Sequence, residues 1–326
     1  MKTFLGVDIG SVSTNLVLID EDLEVVFHLY IRTQGEPLNA LKQALLEAEK
    51  FCLNSVTVSG VGSTGSARRL IGEVLGADVV RNEITSHAVA AIHEVPDVQT
   101  VLEIGGQDSK IIIVRDGVAV DFAMNTVCAA GTGSFLDQQA SRLGIPIEKF
   151  GELSLSAKYE VRIAGRCTVF AESDMVHKQQ MGHPPSSIVR GLSKGLVRNY
   201  LTNVAKGKQI LSPVVFQGGV AANSGIRKAF DEELETRVIV PRYFSVMGVI
   251  GVAILAAESA LENGRTGFRG FDISRRDLRT TSFECQECSN LCEVVEVLIE
   301  GERICGWGDR CGRWSAVGTK EELVGA

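Results

Sequence analysis

The sequence predicts an α/β chain made of two echoing halves, followed by a small cysteine-rich extension that binds metal. Three observations carry that expectation. Two β-hairpins of one design, each turning on glycine, begin separate stretches of the chain; a third glycine turn ends another apolar strand-like run; and five of the eight cysteines crowd between Cys285 and Cys311.

The first hairpin is read from the apolar runs Thr3 to Asp8 and Thr14 to Asp20, separated by the polar turn Ile9-Gly10-Ser11-Val12-Ser13. A helix follows, with Leu38, Leu41, Leu45 and Ala48 at helical spacing, and a β-rich run from Ser55 to Ser59 leads into a glycine turn over Gly60 to Gly65. The echo spans Thr100 to Ile104, the turn Gly105-Gly106-Gln107-Asp108, and Lys110 to Val114. The next turn, Arg115-Asp116-Gly117, leads into Val118 to Met124, which extends the sheet by antiparallel pairing. The third turn, Gln217-Gly218-Gly219, follows Val214 to Phe216 and precedes a helix over Ala221 to Glu235. We expect a first half over 1–115, a second over 116–260, a Gly/Arg/Asp/Ser-rich linker over 261–282 and a metal-binding tail over 283–326.

Bulk properties narrow the function classes. At 326 residues and 45% hydrophobic composition the chain is long enough for two domains with cores of their own. No run approaches the roughly 20 apolar residues of a membrane helix, and the N-terminus lacks a basic segment followed by a long apolar one, so the expected location is cytoplasmic, with no membrane partner. A net charge of -7 argues against a nucleic-acid partner, which calls for a basic face. In that compartment clustered cysteines favour metal ligation over disulfides. Cys52, within the apolar run Phe51 to Leu53, reads as a small core residue.

The glycine turns suit a polyphosphate, which needs converging backbone N–H groups and close approach of the main chain. Gly10, Ser11, Val12 and Ser13 form one candidate cradle, Gly105, Gly106 and Gln107 the second, and Gly218, Gly219 and Val220 a third. Two hairpin tips facing each other would hold ATP or ADP. Asp8 would bind the water shell of Mg2+, and Gln107 or Asp108 would orient the attacking water. The plainer reading of any one turn is a simple β-turn; three in this order at strand ends argue otherwise. The GxxxxGK[ST] loop does not occur.

These segments carry a resemblance. Gly6 to Thr14, Glu103 to Lys110 and Gln217 to Ala221 resemble the two phosphate motifs and the adenosine motif of the acetate and sugar kinase, Hsc70 and actin superfamily. Cys128-Ala-Ala-Gly-Thr-Gly-Ser-Phe-Leu136 and Cys167-Thr-Val-Phe-Ala-Glu172 are similar to the two cluster-ligand motifs of the ATP-dependent activators of 2-hydroxyacyl-CoA dehydratases. That family also includes the benzoyl-CoA reductase ATPase subunits and the reductases of double-cubane-cluster proteins. The likeness covers roughly residues 1 to 258, with Asn15 standing where the family's first hairpin commonly has Lys. It implies an actin-like ATPase fold of two RNase H-like halves. It further implies ATP-driven, low-potential electron transfer from a ferredoxin or flavodoxin to an acceptor metalloenzyme, a dehydratase or a double-cubane protein.

A cubane cluster generally takes four thiolates, and the ATPase body offers two well-placed ones, Cys128 and Cys167. In a two-fold homodimer the same pair from each chain supplies four ligands to one shared 4Fe-4S cluster, an arrangement the resemblance also implies. Each of the two cysteines precedes an expected helix, Thr132 to Leu143 closed by Gly144, and the stretch after Cys167 to about Met181. A helix start favours a thiolate by ~0.3 to 1 kcal/mol. The bland alternative is a pair of unrelated buried thiols.

In the tail, Cys285-x2-Cys288-x3-Cys292 and Cys311 form a candidate set of four ligands, for zinc or for a second iron-sulfur cluster, with Cys305 as a fifth thiol of open role. Glu83 and His87 share a helical face, where a surface or interdomain contact is the simpler reading. Arg190, Lys194 and Arg198 read as a solvated stripe, or as a docking face for an acidic partner. Two other functions compete with electron transfer. A small-molecule kinase of the same fold would leave Cys128 and Cys167 unexplained, and a nucleotide-dependent regulatory module with a zinc tail would need no redox chemistry.

Overall fold

The computed structural model describes residues 1–52, 56–125, 128–165 and 167–314; the end of the expected tail, 315–326, and the start of the expected β-rich run at Ser55 lie outside them. The chain begins with β1 (Lys2–Ile9), β2 (Ser13–Ile19), β3 (Val25–Arg32), α1 (Pro37–Cys52), β4 (Thr57–Thr64), α2 (Arg68–Leu75), β5 (Val79–Val80) and α3 (Glu83–Glu94). It continues through β6 (Thr100–Ile104), β7 (Ser109–Arg115), β8 (Val118–Asn125), α4 (Gly133–Leu143), α5 (Phe150–Leu155), α6 (Thr168–Gln180) and α7 (Pro185–Asn203). β9 (Val214–Gln217), α8 (Ser224–Leu234), β10 (Val238–Ile239) and α9 (Met247–Asn263) precede three final strands, β11 (Leu278–Glu284), β12 (Glu293–Ile299) and β13 (Glu302–Trp307). Among the described residues no helix is long and apolar enough to cross a membrane.

Two five-stranded sheets repeat one topology. The first runs β3-β2-β1-β4-β5 and the second β8-β7-β6-β9-β10. In each, the hairpin strands pair antiparallel, and the first strand continues parallel into the fourth and fifth. The internal echo seen in the hairpins therefore extends over whole sheets. β1, β2, β6 and β7 are near-continuous apolar runs because they are covered on both faces.

The two compact units are Met1–Ser86 with Gly248–Ala326, and His87–Met247. This corrects the expected division at 115/116. The second hairpin cannot belong to the first half, because β6 pairs with β9 and β7 with β8. The helix α9, late in sequence, belongs to the first unit, where it lies on glycines of the first sheet. A Cβ at Gly6, Gly60 or Gly62 would lie 2.2, 2.6 or 2.3 Å from the carbonyl oxygens of Val249, Ala256 and Val252. The same packing corrects the glycine turn expected at 60–65. β4 runs on through Thr64, and the backbone turns only at Gly65, whose φ is +88°.

The expected linker at 261–282 is also corrected. Phe268, Phe271, Ile273 and Leu278 pack into the first unit's core, alongside Leu41, Leu45 and Ile71. Asp78 anchors the crossing, accepting from Thr266 at 2.7 Å and from the Gly267 N–H at 2.7 Å. The tail's sheet, β11-β12-β13, continues from there, and Val297, Ile299 and Cys305 join the same core. Cys52 is buried in it as expected, and burial pushes its thiol up. The second unit has its own core around Ile104, Phe150, Tyr200, Phe216 and Phe230.

Candidate functional site

The first turn, Gly10 to Ser13, is closed by the Gly10 N–H donating to the Ser13 carbonyl at 2.9 Å. Thr33, the residue after β3, braces it. Its hydroxyl donates to the Gly10 carbonyl at 2.9 Å and lies 3.0 Å from the Thr14 hydroxyl, and its N–H bonds the Val12 carbonyl. Asp8 sits at the end of β1, opposite Asn15 on β2 and Thr64 on β4. Only a glycine at 65 leaves room for it, since a Cβ there would lie 2.4 Å from the Asp8 carboxylate. Beside it, Asn15 is buried with its side-chain oxygen lacking a protein partner, an arrangement suited to a polar ligand.

The second turn belongs to the other unit and is braced by charge. Lys110 is 2% exposed and pairs with Glu103 at 3.1 Å and Asp108 at 2.9 Å. Glu103 and Lys110 are direct cross-strand partners. Such a buried ion pair persists because each charge compensates the other's lost hydration. Asp108 is thus committed to Lys110, while Gln107 lies exposed at the tip of the turn. The third turn packs against the same strand. Gly218 has φ of +88°, a Cβ there would lie 2.4 Å from the Ile104 carbonyl oxygen, and its N–H donates to the Phe244 carbonyl at 2.8 Å. Gly219 is open, with no atom within 4 Å of where a Cβ would stand. Gln217 meets His87 Nδ1 at 2.8 Å, so His87 is a buried contact of this strand and not a surface residue.

The cysteines come next. Cys128 is exposed and stands at the N-cap of a short 3-10 turn, Ala129–Gly131, which separates it from α4; Cys167 is half-buried and caps α6 directly. α4 begins at Gly133 and is closed by Gly144 in the left-handed conformation. Asn125 holds Cys128 from both sides, accepting from its N–H at 2.9 Å and donating to its carbonyl at 2.6 Å. Asn199 on α7 donates to the Gly165 carbonyl, two residues before Cys167. Arg142 at the end of α4 pairs with Glu172 on α6 at 2.8 Å.

The second turn and α4 are joined. Gly133 N–H donates to the Gly105 carbonyl at 2.9 Å, and Ser134 donates to the Gly106 carbonyl through its N–H at 2.8 Å and its hydroxyl at 2.6 Å. Glu103, Lys110 and Ser134 enter the sequence reading only inside motifs, with no role of their own, and Thr33 and Asn125 not at all. The signal for the first two was there: a Glu and a Lys inside otherwise apolar strands, placed opposite each other by the hairpin. The stripe Arg190, Lys194 and Arg198 is corrected. Its first two members pair with Glu160 and Glu232, and Arg198 donates to the Ile163 carbonyl, so the stripe is half-buried and paired rather than freely solvated or an open docking face.

In the tail, Cys285 and Cys305 are buried, Cys292 is intermediate, and Cys288 and Cys311 are exposed. Among the described residues, no three His, Cys, Asp or Glu side chains converge as a ready-made metal site.

The profile of the BadF/BadG/BcrA/BcrD ATPase family matches residues 5–256. The (R)-2-hydroxyglutaryl-CoA dehydratase activating ATPase of Acidaminococcus fermentans is 32% identical over 260 residues, covering 78% of this chain and 97% of that protein. The activator of lactoyl-CoA dehydratase of Anaerotignum propionicum is 33% identical, covering 78% and 98%. The solved structure of the activator of the 2-hydroxyisocaproyl-CoA dehydratase from Clostridium difficile, with bound ADPNP, superposes with a TM-score of 0.72 at 30% identity, covering 80% of this chain and 97% of that one.

Proposed function

The chain belongs to the BadF/BadG/BcrA/BcrD ATPase family and has the actin-like ATPase fold, and we propose that it uses ATP to activate a partner hydroxyacyl-CoA dehydratase or related reductase. In this reading the chain passes a low-potential electron from a ferredoxin or flavodoxin to that partner's metal centre. Cys128 and Cys167, with the same pair from a second copy, would hold one 4Fe-4S cluster, which supplies the one-electron carrier when bound.

The residues present fit that group. Cys128 and Cys167 stand at the N-terminal starts of a turn and of a helix, ends that favour an anionic cluster, and the other two ligands would come from the second copy. Apolar surface around them favours a second copy. Val169 and Phe170, two and three residues after Cys167, are 66% and 65% exposed, and Val118, Val120, Phe122 and Met124 lie exposed along one face of the edge strand β8. The nucleotide residues fit as well, through Asp8 beside Gly65 and the unpartnered oxygen of Asn15. Asp8 would act on Mg2+ through water, and Gln107, exposed at its turn, is the better placed of the two candidates to orient the attacking water, since Asp108 is held by Lys110.

The observation that carries the reading is the bonded path between the second glycine turn and the two cysteines. Gly105 and Gly106 hold the start of α4, the turn before α4 begins at Cys128, and α4 reaches α6 and Cys167 through Arg142 and Glu172. A phosphate bound by that turn would favour one setting of α4. The ligand shifts the equilibrium only by its differential affinity for the two settings.

Protein purified without oxygen should be brown and contain iron at about one cubane per two chains. Cys128→Ser should lose iron and electron delivery yet still bind ADPNP. A colourless wild-type protein, or iron whose reaction with a chelator is the same with and without nucleotide, would overturn the reading.

A further inference from the structure

The family match ends at residue 256, so the thiols of the tail lie beyond it. Their placement in the small sheet is informative. Pairing of Glu284 with Glu293, and of Val295 with Trp307, brings the end of β11, the start of β12 and the end of β13 to one end of the sheet. Two loops leave from that end. One carries Cys285, Cys288 and Cys292, and the other carries Cys311.

Several contacts fasten the loops together. The Cys285 N–H donates to the Cys292 carbonyl at 2.8 Å, closing the first loop at its base. Gly308 has φ of +106°, and a Cβ there would lie 2.3 Å from the carbonyl oxygen of Glu293, so the second loop passes directly over the residue that follows Cys292. Arg313 pairs with Glu287, which lies between the first two cysteines. Trp314 Nε1 donates to Cys285 Sγ at 3.4 Å, and its ring meets Phe283 edge-on at 4.9 Å. An N–H bond to sulfur is the kind of outer contact that orients a metal thiolate.

We propose that Cys285, Cys288, Cys292 and Cys311 form one four-thiolate centre for a thiophilic metal, which clips the two loops at the end of the tail sheet. The x2 spacing of the first pair, on a loop between antiparallel strands, suits tetrahedral sulfur ligation. The thiols do not already converge in the structure, and Cys311 Sγ contacts Asp309 at 3.7 Å. Cys288 and Cys311 are both exposed, so no core packing fixes their side chains. Each thiol releases its proton to solvent as its metal–sulfur bond forms. Cys305 is excluded. It is buried in the first unit's core opposite Val297, and burial pushes its thiol up to about 11, so it stays protonated.

The test separates this centre from the one proposed at Cys128. Full-length Cys128→Ser protein, prepared without oxygen from cells supplied with zinc and iron, is analysed for metal, and so is the same protein carrying Cys288→Ser and Cys311→Ser. The expected result is about one zinc per chain, or iron in cubane amount, in the first and at least a tenfold loss in the second. Zinc in colourless protein and iron in brown protein distinguish the two sources of the same thiolate chemistry. Cys305→Ala in the Cys128→Ser background should keep its metal. Because Cys288 and Cys311 are exposed, their loss creates no cavity; as a check independent of these variants, adding Zn2+ to metal-stripped Cys128→Ser protein should protect four thiols from alkylation. Equal metal in the two proteins, metal-free Cys128→Ser protein whose thiols stay reactive with Zn2+, or loss of metal through Cys305→Ala would each overturn the proposal.

Discussion

The two units share one sheet order but brace their glycine turns with different chemistry. In the first, neutral hydroxyls do it: Thr33 bonds the Gly10 carbonyl and meets Thr14. In the second, a buried lysine holds two carboxylates, and the start of α4 bonds both turn carbonyls. The difference tracks the segment that each hairpin leads into. After the first comes an ordinary strand and helix, whereas after the second come β8, Cys128 and α4. A duplicated scaffold has thus been made rigid and connected on the side that carries the cysteine motifs, and left with local bracing on the other.

The comparison can be broken at its strongest point. Lys110→Met removes the cation that compensates the buried Glu103, and should destabilise the protein by about 3 to 5 kcal/mol in chemical denaturation. Thr33→Val in the first unit removes only hydrogen bonds and should cost about 1 kcal/mol. Equal losses would mean that the two turns are held alike. Between these lies the glycine face under α9. Gly62→Ala places a methyl 2.3 Å from the Val252 carbonyl oxygen and should cost about 1 to 3 kcal/mol, whereas Gly219→Ala, with open space around it, should leave the denaturation midpoint unmoved.

A small change in stability should be the most informative about coupling. Ser134→Ala removes the 2.6 Å hydroxyl bond to the Gly106 carbonyl at a cost of about 1 kcal/mol. Iron content without nucleotide should match wild type, while the effect of ADPNP on chelation of that iron should shrink. An undiminished nucleotide effect would remove Ser134 from the path between turn and cysteine.

Much of this was legible from the chain alone. The alternation of apolar runs and glycine turns located β1, β2, β6, β7 and β9 to within a residue or two, because a strand buried on both faces leaves a local signature. Cys167 before α6 and Gly144 after α4 were readable for the same reason, since helix ends depend on a few neighbouring residues. Composition and spacing likewise singled out the cysteines. What only the tertiary structure decided involves partners far apart in sequence: α9 lying on Gly6, Gly60 and Gly62, the residues of the expected linker filling the first unit's core, Cys305 buried in that same core, and Ser134 reaching back to Gly106. No local pattern encodes such pairings. They follow from which surfaces can be buried together once the whole chain has collapsed, and close packing admits few solutions to that problem.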